Sequence, residues 1–326
     1  MSRLVGRPAT LVAVVTALVL AGAMLIVYGL HRGTGGQQTA ADGSPFFSDS
    51  PSPSPSPSRP DPAISVRAQV ASYLASSGTH AALALLDQDT GEKVYYQENQ
   101  QFNTASIIKV DILATVLYQH QKSGKKLTST ESSNATKMIT QSDNNAATAL
   151  WNDIGKGPGL AQANKDFGLT ETVPGDAGYW GLTKTTAADQ LRLLQVISNP
   201  TGSAPADPPA GAPPSTAAGH GTPGPLDVAS CDYLFSLMNR VEHDQRWGVP
   251  DAAGSHATNV YVKNGWLSYS QDNYKWIINS IGRIIEPGHD WLVVVLSNYH
   301  PSMDNGIDQI EHAADLAVNG LRTATP

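Results

Sequence analysis

Three short groups of residues carry the means for nucleophilic chemistry in this 326-residue chain. Ser106-Ile107-Ile108-Lys109 sets a hydroxyl and an amine three positions apart. On a helix that spacing shares one face, so the amine can reach the hydroxyl. Ser142-Asp143-Asn144 adds a second hydroxyl and an amide, and Lys263-Asn264-Gly265 adds a second amine. A serine hydroxyl is a weak nucleophile until a neighbouring base takes its proton. A lysine desolvated by burial and crowded by another cation can serve as that base near neutral pH. The set therefore reads as the active site of a serine acyl-transfer enzyme.

Position along the chain separates these groups from chance. Ser106 follows Phe102-Asn103-Thr104-Ala105 and opens an apolar-periodic run through Ile107, Ile108, Val110, Ile112, Leu113, Val116 and Leu117. That pattern predicts a helix with Thr104 or Asn103 as N-cap and Ser106 in its first turn. A second Ser-x-x-Lys, Ser123-Gly124-Lys125-Lys126, lies in a Gly/Lys-rich stretch and reads as solvated turn. Ser142-Asp143-Asn144 falls between two helix-like segments, residues 131–140 and 145–154, where a loop can point side chains into a cleft. Asp143 or Asn144 also suits the N-cap of the second helix.

Lys263-Asn264-Gly265 follows a β-rich run, Asn259-Val260-Tyr261-Val262. This predicts a lysine at a strand end, with Gly265 letting a ligand approach the backbone. Taken alone, Asn-Gly is equally a hairpin-turn signal.

In this order and these settings the three motifs resemble those of the penicillin-recognising serine hydrolases, the class A β-lactamases above all. Residues 182–191, Leu-Thr-Lys-Thr-Thr-Ala-Ala-Asp-Gln-Leu, resemble the segment that opens the helix after the family's omega loop. The resemblance runs over roughly residues 62–322. It implies that Ser106 attacks an amide or lactam carbonyl with Lys109 as base, while Ser142 relays a proton to the departing nitrogen. Asn144 would hold the substrate's side-chain amide and Lys263 its carboxylate. The backbone N–H groups of Ser106 and of a residue beyond Gly265 would form the oxyanion hole.

The chain departs from the family in three ways. Asn264 stands where Thr or Ser is usual. Ser106 and Ser142 are closer together, so the helical subdomain between them is trimmed. The omega-loop pattern Glu-x-x-x-Asn, whose Glu activates the deacylating water, is broken. Here Glu171 is followed four positions later by Gly175. Glu171 is the candidate deacylation base, though its flanking turn residues read more as a solvated loop acid, and Asp176 is a weaker candidate. Slow deacylation is the expectation.

Strand-like runs occupy residues 81–86, 93–96, 259–262, 274–285 and 291–297; helical runs fill 64–74, 106–197, 227–241 and 307–321. Strands at both ends around a helical middle predict an antiparallel sheet assembled from the two termini. The resemblance implies the same α/β (α+β) architecture: a β-lactamase/transpeptidase-like, five-stranded antiparallel sheet flanked by helices, plus an all-α subdomain, with the site in the cleft between them.

Composition adds an anchor and a stalk. Arg3 and Arg7 precede an almost uncharged stretch, residues 11–30, of the length a membrane-spanning helix needs. Residues 1–32 are read as an uncleaved anchor with its N-terminus inside, and a cleaved signal peptide is the competing reading. Residues 33–62 form a Pro/Ser/Gly-rich linker whose alternating prolines favour an extended stalk, roughly 40 Å in its densest part. The catalytic domain then spans 63–326, with a disordered Pro/Gly/Ala insertion near 199–225. It would lie outside the membrane, as a monomer.

The net charge of −7 and the absence of a basic stripe exclude a nucleic-acid partner. The nine histidines show no metal-ligand spacing, so no metal and no cofactor are expected. The lone Cys231 reads as a small buried hydrophobe. The partner is a small-molecule β-lactam or a cell-wall peptide. A binding module without turnover is the alternative, and the intact set of serines and lysines argues against it.

Overall fold

The computed structural model describes residues 61–201, 224–269 and 273–324. The expected anchor at 1–32, the linker up to residue 60 and the body of the insertion, 202–223, lie outside the described residues. Among the described residues no helix is long and apolar enough to cross a membrane.

Helix α1 (Pro62–Ser76) starts where the linker was expected to end: Asp61 caps it by accepting from Ala63 N at 2.9 Å, and Pro62 fills its first turn. Strands β1 (His80–Asp87) and β2 (Lys93–Tyr96) form a hairpin. A two-residue strand β3 (Phe102–Asn103) leads to α2 (Ile108–Ser123), α3 (Ser129–Thr140), α4 (Asn144–Asp153) and α5 (Lys156–Phe167). Strand β4 (Lys184–Thr185) pairs with β3 and precedes α6 (Ala187–Ser198) and α7 (Val228–Met238). Strands β5 (Asn259–Tyr269), β6 (Lys275–Glu286) and β7 (His289–His300) and helix α8 (Met303–Ala324) complete the chain.

The sheet runs β2-β1-β7-β6-β5, antiparallel throughout, so the first and last strands of the chain meet where β1 pairs with β7. Ala81 to Asp87 of β1 are all buried, which requires cover on both faces. Helices α1 and α8 pack together, α8 lies on β6 and β7, and α6 lies on β1 and β7. The remaining helices surround α2, whose residues Ile108 to Leu117 are all buried. A helix buried all round is a core helix, and it carries Lys109 and Asp111 inward with its apolar residues.

The β5 segment corrects the sequence reading. It does not end at Val262 but continues through Lys263-Asn264-Gly265, pairing Lys263 with Ile281, Asn264 with Ser280 and Gly265 with Asn279. Gly265 has no left-handed backbone, so the Asn-Gly pair makes no turn; the long partner β6 outweighs the local turn preference. The insertion is corrected at its ends. Asn199 is buried and donates to Gln195 O at 3.0 Å, and Thr201 bridges to Asp227.

Candidate active site

Ser106 sits in a 3-10 turn, Ala105–Ile107, immediately before α2. Thr104 stands at the N-cap position without a capping bond; its hydroxyl faces Gly181 O at 3.5 Å. Asn103 belongs to β3. The turn is bent sharply at Ala105, φ +47°, a conformation that costs a residue with a Cβ. Asn279 on β6 holds it there, donating from Nδ2 to Asn103 O at 2.9 Å and Thr104 O at 3.0 Å. From the other side β5 presses in at Gly265. A Cβ there would stand 2.8 Å from Ser106 N and 2.7 Å from Thr104 O. Gly265 therefore lets β5 approach the turn that carries Ser106.

Ser142 is also left-handed, φ +56°. Its carbonyl and hydroxyl both turn toward Lys109 Nζ, at 2.6 and 3.0 Å. Asp143 caps α4 by accepting from Ala146 N at 2.6 Å, and Asn144 presents Oδ1 to Lys109 Nζ at 2.8 Å. Lys109 Nζ lies 2.9 Å from Ser106 Oγ. A neutral amine has two hydrogens and one lone pair. The Ser142 carbonyl and Asn144 Oδ1 can only accept, so they claim the two hydrogens. The lone pair then faces hydroxyls, as a base for Ser106 requires. Burial pushes the Lys109 amine down to about 7, with Asp143 pulling weakly the other way.

Lys263 Nζ lies 3.1 Å from Ser142 Oγ and donates to Asn264 O at 3.1 Å. It is fully buried, and burial and then the nearby Lys109 hold it well below the usual lysine range. The Ser142 hydroxyl is thus flanked by two buried amines and can pass a proton between them. The Asn264 side chain points to the other face of β5 and donates to Gln245 O and Trp247 O at 2.8 and 2.7 Å.

A cavity of about 300 Å³ opens at Ser106, with Asn144, Tyr179, Trp180, Trp266 and Leu267 in its walls. The lysines lie behind this lining. Glu171 is exposed and is not among the lining residues; its N–H donates to Asp189 Oδ2 at 2.9 Å and its carbonyl accepts from Gln101 Nε2 at 3.0 Å. Ser123 ends α2, exposed, and donates to Gln119 O at 2.9 Å, so the second Ser-x-x-Lys has no part in the site. Cys231 is buried, and burial pushes its thiol up to about 12. Sequence reading missed Asn279, Trp180 and Trp266. The last directly follows Lys263-Asn264-Gly265, which is the one local signal available.

Comparison with known proteins supports the fold. A sequence model of the Beta-lactamase enzyme family matches residues 65–134, the stretch holding Ser106 and Lys109. "Putative lipoprotein LppW" of Mycobacterium tuberculosis is 28% identical over 231 residues, 70% of this chain and 66% of that protein. The chain thus spans just under two thirds of that relative's length. Among solved structures, a PBP-A mutant in acyl-enzyme complex with penicillin G superposes with a TM-score of 0.64 at 17% identity. The match covers 80% of this chain and 97% of that one. A class A β-lactamase from Mycobacterium abscessus gives 0.62 at 16% identity, over 79% and 99%. The fold is the β-lactamase/transpeptidase-like one.

Proposed function

We propose that this chain, β-lactamase-like and with the fold of the penicillin-recognising serine enzymes, is a serine hydrolase acylated at Ser106 by β-lactam or peptidoglycan-like amides. The observation that carries the reading is the Lys109 amine, brought to about 7 and placed within 3.0 Å of both serine hydroxyls. Lys109 takes the Ser106 proton as Oγ attacks the carbonyl carbon. Ser142 returns a proton to the nitrogen as the C–N bond breaks. The N–H of Ser106 and one from β5 beyond Gly265 receive the oxyanion; β5 is the outer strand of the sheet, so among the described residues one of its edges has no strand partner, which suits pairing with an extended substrate. Asn144 and Lys263 bind the substrate's amide and carboxylate. No cofactor takes part.

Deacylation is slow on this reading. Glu171 is the stronger of two candidate bases in its loop, ahead of Asp176, and it is exposed and outside the cavity lining. The catalytic part is held outside the membrane by residues 1–32; the lipoprotein name of the relative and the apolar run at 11–30 support attachment. Steady-state hydrolysis of a chromogenic cephalosporin, followed beside intact mass, tests the function. A burst with an accumulating adduct is expected. Fast turnover without an adduct would overturn slow deacylation, and neither adduct nor turnover would leave a binding module.

A further inference from the structure

Lys263 and Ser142 meet from different parts of the fold, one on β5 and the other between α3 and α4. The segment 242–248 bridges the neighbours of both. On one side Glu242 N donates to Thr140 O at 3.0 Å, and Gln245 Nε2 donates to Gln141 O, on the residue before Ser142, at 3.2 Å. On the other side Asn264, the residue after Lys263, donates from Nδ2 to Gln245 O at 2.8 Å and to Trp247 O at 2.7 Å. Successive strand residues face opposite ways, so Lys263 turns to the Ser142 hydroxyl while Asn264 turns to this segment. Arg246 adds a second tie to β5 through Val260 O at 3.0 Å. Just beyond, Val249 N donates at 2.9 Å to Ser280 Oγ, on the β6 residue paired with Asn264.

Asn264 is fully buried, and its Oδ1 has no hydrogen-bond partner among the described residues. An unpaired buried acceptor costs stability, so packing alone does not account for an amide at this position. Its Nδ2 does: two carbonyls of one segment need two N–H donors, and a hydroxyl carries only one. We infer that Asn264 and Gln245 are positioning residues, which clamp the segment 242–248 between Gln141 and β5 and so set the contact between Lys263 and the Ser142 hydroxyl. Neither lines the cavity at Ser106. The inference rests on the reading of Ser142 as the proton relay. In that step Lys109 takes the Ser106 proton as Oγ bonds to the carbonyl carbon; the C–N bond then opens, and the proton passes from Lys109 through the Ser142 hydroxyl to the nitrogen. A loosened clamp lets Lys263 move relative to Ser142 and slows protonation of the nitrogen. It leaves Ser106 and Lys109 in place, because they are three positions apart on one stretch of chain.

The test uses two reagents on the full chain. Benzylpenicillin needs a proton on its departing nitrogen. A fluorophosphonate loses fluoride, which needs none, so its labelling reads Ser106 and Lys109 without the relay. Asn264→Thr keeps a polar group with one donor in place of two. Gln245→Met keeps the length of a partly buried side chain without the bond to Gln141 O, and it carries the test where Asn264→Thr fails to fold. In both variants formation of the penicillin adduct, read by intact mass at saturating donor, is expected to slow about ten- to a hundredfold, the effect of a slightly misplaced group. Fluorophosphonate labelling is expected to stay close to that of the unaltered chain. An unchanged penicillin rate in both variants, or an equal fall with the two reagents, would overturn the inference while leaving Ser106 acylation intact. Absence of a penicillin adduct in an unaltered chain that the fluorophosphonate labels would overturn the β-lactam reading and this inference with it.

Discussion

Lys109 Nζ lies 2.6 Å from the carbonyl oxygen of Ser142 and 3.0 Å from its hydroxyl, because the left-handed backbone of Ser142 turns both groups to the same amine. One residue thus removes a hydrogen of the lysine from competition and offers a relay for the other proton. With Asn144 as the second obligatory acceptor, the arrangement suits the neutral amine, and the pH response follows.

Burial lowers the Lys109 amine to about 7, so its basic form grows as pH rises through that value. The rate of Ser106 labelling by a saturating penicillin is expected to climb from pH 6 to 8 and level off above. Lys109→Met should lower it by about two to four orders of magnitude, as for loss of a general base. A flat profile across this window would show that another group takes the proton.

Burial, and then the nearby Lys109, lower the Lys263 amine well below the usual lysine range, and a bound carboxylate would favour its protonated form. Binding of an anionic donor should therefore take up protons. Calorimetry of Ser106→Ala with benzylpenicillin at pH 8, in two buffers of different ionisation enthalpy, reads this directly. Zero net uptake would place the donor's carboxylate elsewhere.

Gly265→Ala probes the contact between β5 and the turn that carries Ser106. The added methyl meets backbone atoms of Thr104 and Ser106, not flexible side-chain ends. The turn must move at a cost of about 1–3 kcal/mol. Labelling of Ser106 is expected to slow at least about tenfold, with a melting temperature lower by a few degrees. Unchanged labelling would mean that Ser106 does not depend on that packing.

Much of the site was legible because its parts are local. Ser106 and Lys109 share a turn, Asp143 caps the helix after Ser142, and the strands at both ends announced the sheet. What was not legible depends on tertiary neighbours. Asn264-Gly265 has a turn's composition and becomes strand only because β6 offers Ser280 and Asn279 as partners. Gly265 faces Ser106 across the chain, and no spacing reports that. Trp180 reaches the cleft through the path of residues 169–183, which lack periodicity, and Thr148 on α4 fixes it there.

Asp111, fully buried on α2, shows the cost of a polar group on a core helix. Asn164 Nδ2 donates to its Oδ2 at 3.0 Å, but Oδ1 has no hydrogen-bond partner among the described residues, and burial raises the carboxyl from 3.8 to about 7. The folded state therefore binds more protons than the unfolded state between these values, and this group's contribution to stability falls as pH rises across that window. Above about pH 7 the full penalty, on the order of a few kcal/mol, is present. Asp111→Asn is expected to flatten this fall in urea unfolding at pH 5 and 8 and to stabilise at the higher pH. An unchanged slope would mean that Asp111 is charged and solvated.

The central claim is that Ser106, and no other serine, receives the acyl group. Benzylpenicillin is added to the full chain and to Ser106→Ala and Ser123→Ala, and intact mass is followed over time. The expected result is a single slowly decaying adduct of the whole penicillin in the unaltered chain and in Ser123→Ala, and none in Ser106→Ala. An adduct that survives Ser106→Ala would contradict the account.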